Sequence, residues 1–159
     1  MSKKLVAYFS ATGVTARAAE LLSEAAEADL FEIRPEIPYK KEDLNWQDPK
    51  SRSTIECHDA SCRPAIAKRL SNMADYDTVY LGFPIWWYKE PNIIDTFLEQ
   101  YDFSGKTIIL FATSGSSDLG NTAEGIRKLV SRNAAVKELG MLNGTNTEES
   151  LKKRIAAVR

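Results

Sequence analysis

The chain has 159 residues, 43% of them hydrophobic and 27% charged, with 21 Lys and Arg against 22 Asp and Glu for a net charge of −1. That length suits one domain over residues 1–159 with a real core. The even charge balance without a basic stripe argues against a nucleic-acid partner, and no apolar run approaches the roughly 20 residues of a membrane span.

Met1-Ser2-Lys3-Lys4 enters a strand too soon for a signal peptide, which leads to a cytoplasmic reading. Leu5-Val6-Ala7-Tyr8-Phe9 is an apolar run that reads as a buried strand. After Ser10-Ala11-Thr12-Gly13-Val14-Thr15, the apolar positions Ala18, Leu21, Leu22 and Ala25 recur at helical spacing and predict a helix over residues 14–26. The hexapeptide thus joins a strand to a helix N-terminus, where unpaired backbone N–H groups and the positive end of the helix dipole meet. Gly13 permits close backbone approach, and the hydroxyls of Ser10, Thr12 and Thr15 add donors, so the segment can cradle a phosphate without a cation. An ordinary capped turn accounts for the same residues. Neither a Gly-Lys-Ser/Thr loop nor a G-x-G-x-x-G fingerprint is present.

Leu30-Phe31-Glu32-Ile33 alternates and stops at Pro35, as an edge strand does. From residue 35 to 61 no periodicity survives, and Pro38, Asn45, Asp48, Pro49 and Ser51 disfavour a helix, so a long, functional or mobile connection carrying Tyr39 and Trp46 is expected. Cys57 and Cys62 flank His58 and Asp59 without a usual zinc-ligand spacing; two free thiols and a solvated histidine are expected, and no metal. Arg63-Pro64 is expected to open a second helix with Ile66, Leu70 and Met73 inward. A third strand follows over residues 78–82, then a helix from Glu90-Pro91 that buries Ile93, Ile94, Phe97 and Leu98. Residues 106–112 are apolar on both faces and read as an interior strand. A helix after Gly120-Asn121-Thr122, a fifth strand over residues 136–141 and a final helix capped by Thr147 complete the chain. Strands alternating with helices give a doubly wound parallel sheet, whose ligands bind beyond the carboxyl ends of the strands.

Three stretches lie at those ends: the Ser10–Thr15 hexapeptide, Gly82-Phe83-Pro84-Ile85-Trp86-Trp87-Tyr88, and Phe111-Ala112-Thr113-Ser114-Gly115-Ser116-Ser117-Asp118-Leu119-Gly120. Together and in this order they resemble the phosphate loop and the two flavin loops of the flavodoxin family, over nearly the whole chain. The resemblance implies a three-layer α/β/α fold with a five-stranded parallel sheet of order 2-1-3-4-5, similar to the short-chain members, and bound FMN. It places the phosphate on Ser10, Ala11, Thr12, Gly13, Val14 and Thr15, the ring against Pro84, Ile85, Trp86, Trp87 and Tyr88, and the pyrimidine edge on Thr113, Ser114, Gly115 and Ser116. Trp86 is the expected stacking residue, and the peptide between Trp87 and Tyr88, neither of them glycine, is expected near flavin N5. Two adjacent tryptophans point different ways, so one is expected to be exposed without a ligand. Asp118 suits either a ribityl hydroxyl or a cap on the next helix.

Two features depart from the family's electron carriers. The charge is near zero rather than strongly acidic, and the third loop has no tyrosine to cover the outer face of the ring, which leaves that face open or covered by Tyr39 or Trp46. No Ser/His/Asp or Cys/His set can be assembled around a single histidine, and no paired carboxylates stand out, so no catalytic side chain is assigned. The expected function is electron transfer between redox partners by an FMN protein acting as a monomer or weak dimer. The alternatives are a nicotinamide-dependent flavin or quinone oxidoreductase of the same fold and a flavin-free binding module.

Overall fold

The computed structural model describes residues 3–115 and 117–158. Five strands, β1 (Lys4–Tyr8), β2 (Asp29–Glu32), β3 (Thr78–Pro84), β4 (Thr107–Thr113) and β5 (Ala135–Met141), form one sheet of order β2-β1-β3-β4-β5 with every neighbouring pair parallel. The helices are α1 (Val14–Ala26), α2 (Arg52–Cys57), α3 (Asn92–Gln100), α4 (Thr122–Arg127) and α5 (Glu148–Ala157). This is the expected flavodoxin-like order, with β2 at an edge and β4 interior.

Residue alternation along the strands sorts the core into two layers. Leu5, Ala7, Val79, Leu81, Ile108 and Leu110 face one way and meet Ile93, Ile94, Phe97 and Leu98 of α3 and Ile126 of α4. Val6, Tyr8, Tyr80, Ile109 and Phe111 face the other way and meet Ala18, Ala19, Leu22, Ala25 and Ala26 of α1 and Leu151 of α5. The alanine-rich face of α1 lets that helix lie close to the sheet, while the larger α3 side chains fill the opposite layer. Each fully buried Leu, Ile or Phe contributes about 1.5–3 kcal/mol. Thr147 caps α5 by accepting from the Ser150 backbone N–H at 3.0 Å, and Glu148–Lys152 pairs one turn on at 3.1 Å.

Two expectations are corrected between β2 and β3. The connection over residues 35–61 is not structureless: it holds a single 3-10 turn at Lys41–Leu44 and the six-residue α2. Ser51, expected to break a helix, starts one. Its hydroxyl lies 2.8 Å from the Thr54 hydroxyl and accepts from the Thr54 backbone N–H, and Arg52 reaches Glu56 at 2.9 Å one turn on. Six residues are too few for a periodic pattern to register. The helix expected from Pro64 does not form. Glu36 N–H donates to the Ala65 carbonyl at 2.9 Å and Ala67 N–H to the Arg34 carbonyl at 2.8 Å, making an antiparallel bridge between Pro35 and Ile66. Backbone groups engaged across the chain cannot close an intrahelical ladder. Ile66 and Leu70 still pack on the core and Met73 is buried, so their inward order persists without the helix.

Candidate functional site

β1 leads directly to the first loop. Gly13 has φ 95°, and its carbonyl accepts from Arg17 N–H at 3.1 Å as the N-cap of α1. The N-cap Gly13 has no side chain to cap this N-terminus and no acidic residue lies in its first turn, so no carboxylate of the helix offsets the positive end of its dipole. The Ser10 hydroxyl accepts from the Gly13 N–H at 3.0 Å and shapes the turn. Ala11 is half-buried, and Thr12, Gly13 and Val14 are exposed at the tip. Thr15 is buried, with its hydroxyl 2.8 Å from that of Thr113, which joins the first loop to the third.

The second loop is tied to the third by Ile85 N–H, which donates to the Thr113 carbonyl at 3.0 Å. Beyond it, Trp86 and Lys89 exchange backbone bonds, Trp86 N–H to the Lys89 carbonyl at 2.9 Å and Lys89 N–H to the Trp86 carbonyl at 3.2 Å. The two residues between them both have positive φ, 49° at Trp87 and 66° at Tyr88. This is the backbone pattern of a mirror-image hairpin turn, normally built from Asn and Gly. Trp and Tyr at such angles cost about 1–2 kcal/mol each. The peptide expected near flavin N5 therefore joins two residues in left-handed backbone. Tyr88→Gly is expected to hold stability constant or raise it by up to about 1 kcal/mol in thermal denaturation, since strain relief exceeds the entropic cost of glycine. A loss beyond 1 kcal/mol would show that the Tyr88 ring contributes packing despite being 81% exposed.

Neither tryptophan of this loop is exposed, against the expectation for one of them; both are half-buried, while Tyr88 and Trp46, the latter 68% exposed, carry the open aromatic surface. The Trp86 ring sits in a triangle with Phe9, 5.6 Å away at 90°, and Tyr39, 5.5 Å away at 70°. Tyr39 is braced in turn. Its hydroxyl donates to Glu56, the Arg52 guanidinium lies 3.7 Å over its ring, and Arg52 donates to Glu56 at 2.9 Å and to the Ile37 carbonyl at 2.6 Å. Burial and the Glu56 bond push the Tyr39 hydroxyl far above its usual range, so it stays a donor. The long connection thus reaches the site through Tyr39, as a brace behind Trp86. His58, expected to be merely solvated, is exposed yet ordered, with Nδ1 2.7 Å from the Thr54 carbonyl and its ring 5.5 Å from that of Trp87.

The third loop follows Thr113. Ser114 N–H donates to Asn143 Oδ1 at 2.8 Å, and Ser117 N–H to the Ser114 hydroxyl at 3.0 Å. Gly115 is exposed, with open space where a side chain would stand. Ser116 lies outside the described residues. Asp118 does not cap α4; it accepts from Gly120 N–H at 2.9 Å in a turn ahead of the helix, whose N-cap is Asn121. Tyr39, expected as one candidate cover for the ring, packs against Trp86. Asn143, the Arg52–Glu56 pair that braces Tyr39, and His58 were not legible as site residues, because each acts through a contact between distant segments.

A groove of 580 Å³ beside α1 and the β5–α5 connection is lined by Thr12, Gly13, Arg17, Leu21, Leu142 and Asn146. It reaches the first loop but not the second or third. Cys57 and Cys62 are free thiols, and burial pushes the Cys57 thiol up to about 12, which makes it unreactive. No helix among the described residues is long and apolar enough to cross a membrane.

Several solved structures resemble the chain, among them the following three. A protein of Bacteroides eggerthii assigned as a flavoprotein is 46% identical, with TM-score 0.92 over 98% of this chain and 97% of that one. A second from Bacteroides uniformis is also 46% identical, with TM-score 0.89 over 98% of each chain. A flavoprotein from Lactobacillus acidophilus in complex with FMN is 20% identical, with TM-score 0.67 over 87% of this chain and 91% of that one, and shows likeness of fold. None of the curated proteins matches the chain significantly. The sequence profile described as Flavodoxin matches residues 3–158, nearly the whole length, and the chain therefore belongs to the flavodoxin family.

Proposed function

We propose that the chain binds FMN at the carboxyl ends of β1, β3 and β4 and transfers electrons between redox partner proteins. One observation carries the reading: an uncapped helix N-terminus stands beside two further loops, and all three are fastened through Thr113, by its hydroxyl to Thr15 and by its carbonyl to Ile85. The residues present fit the cofactor. Neutral hydroxyls and outward N–H groups at a positive helix end suit a phosphate dianion, and the braced, half-buried Trp86 suits a flat aromatic ring. The FMN held by the Lactobacillus acidophilus protein supports the assignment by fold.

In this reading Thr12 and the α1 N–H groups hold the phosphate, Trp86 orients the ring, and the Trp87–Tyr88 turn sets the backbone at its edge. The third loop supplies the donors for the pyrimidine side. When bound, the flavin supplies the electron-transfer chemistry. Trp86→Ala is expected to weaken FMN binding more than Trp46→Ala, measured by quenching of the remaining tryptophan fluorescence. If Trp46→Ala is the more damaging, the long connection supplies the stacking ring instead.

The near-zero charge favours a second reading, a nicotinamide-dependent reductase of a quinone or similar acceptor, since a carrier that steers to basic partners benefits from a strong acidic field. An absorbance spectrum of the purified protein tests for flavin. Adding NADH or NADPH without oxygen then separates the readings: an unchanged flavin spectrum favours the carrier, and bleaching favours the reductase.

A further inference from the structure

Just past the Trp86–Lys89 turn, two carboxylates meet in the interior. Glu90 and Asp95 are only 6% and 7% exposed. Their side chains lie against each other, and Asp95 Oδ1 is buried with no donor to it among the described residues. Two carboxyls so placed can hydrogen-bond to each other only if one is protonated. Glu90 directly follows Lys89, whose backbone closes the turn. Asp95 sits in the first turn of α3, on the fully buried side shared with Ile94 and Leu98. The pair therefore pins one stem of a turn that holds Trp87 and Tyr88 at left-handed angles.

Resting on the flavin reading above, we propose that Glu90 and Asp95 are positioning residues that share one proton and latch the Trp87–Tyr88 turn in its ligand-ready shape. Loss of that proton leaves two buried negative charges side by side. Glu90 is then driven outward, the Lys89 stem is freed, and the strained turn relaxes. The charges around the pair do not cancel this repulsion. Lys89 and Arg63 lower the pair's proton affinity, but Arg63 is engaged by Glu99 at 2.9 Å. The acid Glu99 is also near Asp95, and Cys57 on α2, which faces Glu90 as well as Glu56, remains a neutral thiol. Burial first, and the Asp95 charge second, raise the Glu90 carboxyl to about 8. A raised carboxyl contributes stability that is complete below the ordinary carboxylate range and lost as pH rises through about 8.

The test is FMN titration into flavin-free protein between pH 7 and pH 9, for the wild type, Glu90→Gln and Asp95→Asn. The wild-type Kd is expected to rise about tenfold over that range. Each amide variant can make the bond without a shared proton, so each is expected to hold its Kd within about twofold. A flat wild-type profile, or the same rise in Glu90→Gln, would overturn the latch. In flavin-free protein the Trp87 indole NMR signal is expected to shift with a midpoint near 8, and Glu90→Gln to remove that transition. The His58 ring also touches Trp87, so the comparison with the variant assigns the transition. This second arm decides the latch even if FMN fails to bind at any pH, which would count against the flavin reading alone.

Discussion

Gly82→Ala is expected to destabilise the protein by about 3 kcal/mol or more, measured by urea or thermal denaturation. Gly82 stands opposite Phe111 in the β3–β4 register, and the Phe111 ring lies over it. An added Cβ would stand 2.1–2.6 Å from three ring carbons. Phe111 is fully buried under α1 and cannot swing aside. The Gly82 carbonyl also accepts from Phe9 N–H at 3.0 Å, so a shift there disturbs the starts of both the first and second loops. Against a total stability of about 5–15 kcal/mol, such a loss is large. Gly115→Ala is the control, since a methyl there meets nothing. Equal stabilities for Gly82→Ala and wild type would mean that the ring is not seated over Gly82.

Thr12→Ala is expected to cost about 1.5–3 kcal/mol of FMN affinity, roughly 10- to 100-fold, by removing a hydrogen bond to a charged group. Riboflavin, which lacks the phosphate, is expected to bind weakly and to be almost indifferent to that change, whereas Thr15→Ala loosens the tie between the first and third loops and is expected to weaken both flavins. The structure separates the two variants by a second measurement. Thr12 is exposed, so its loss is expected to leave folding unchanged. Thr15 is buried against the Thr113 hydroxyl, so Thr15→Ala strands a polar group and is expected to lower stability by about 1–3 kcal/mol. Equal losses for FMN and riboflavin in Thr12→Ala would refute the assignment of the first loop to the phosphate.

The sequence is most legible where local signals and tertiary packing agree. The α1 helix runs over residues 14–26 as its spacing predicts, with Gly13 at the turn, and the Thr147 cap stands where a threonine ahead of two glutamates places it. Strand order follows from the alternation of elements and the resemblance to the family. The segment from Pro35 to Met73 is less legible, because its structure is made by pairing between distant residues. Pro35 pairs with Ile66 across thirty intervening positions, and that bridge consumes the backbone groups a helix from Pro64 would need. The same holds at the site. Trp86 and Gly13 announce themselves, whereas the Tyr39 brace and the Asn143 contact to the third loop depend on chain segments that meet only in the fold. Glu90 and Asp95 escaped notice as a carboxylate pair because burial, which no spacing reveals, is what makes them one.

Titrating FMN and riboflavin into flavin-free protein while following tryptophan fluorescence tests the central claim most directly, that the three loops tied through Thr113 form an FMN site. The account predicts saturable quenching at one FMN per chain, far weaker binding of riboflavin, and loss of most of the quenching in Trp86→Ala. No saturable quenching, or equal affinity for the two flavins, would contradict it.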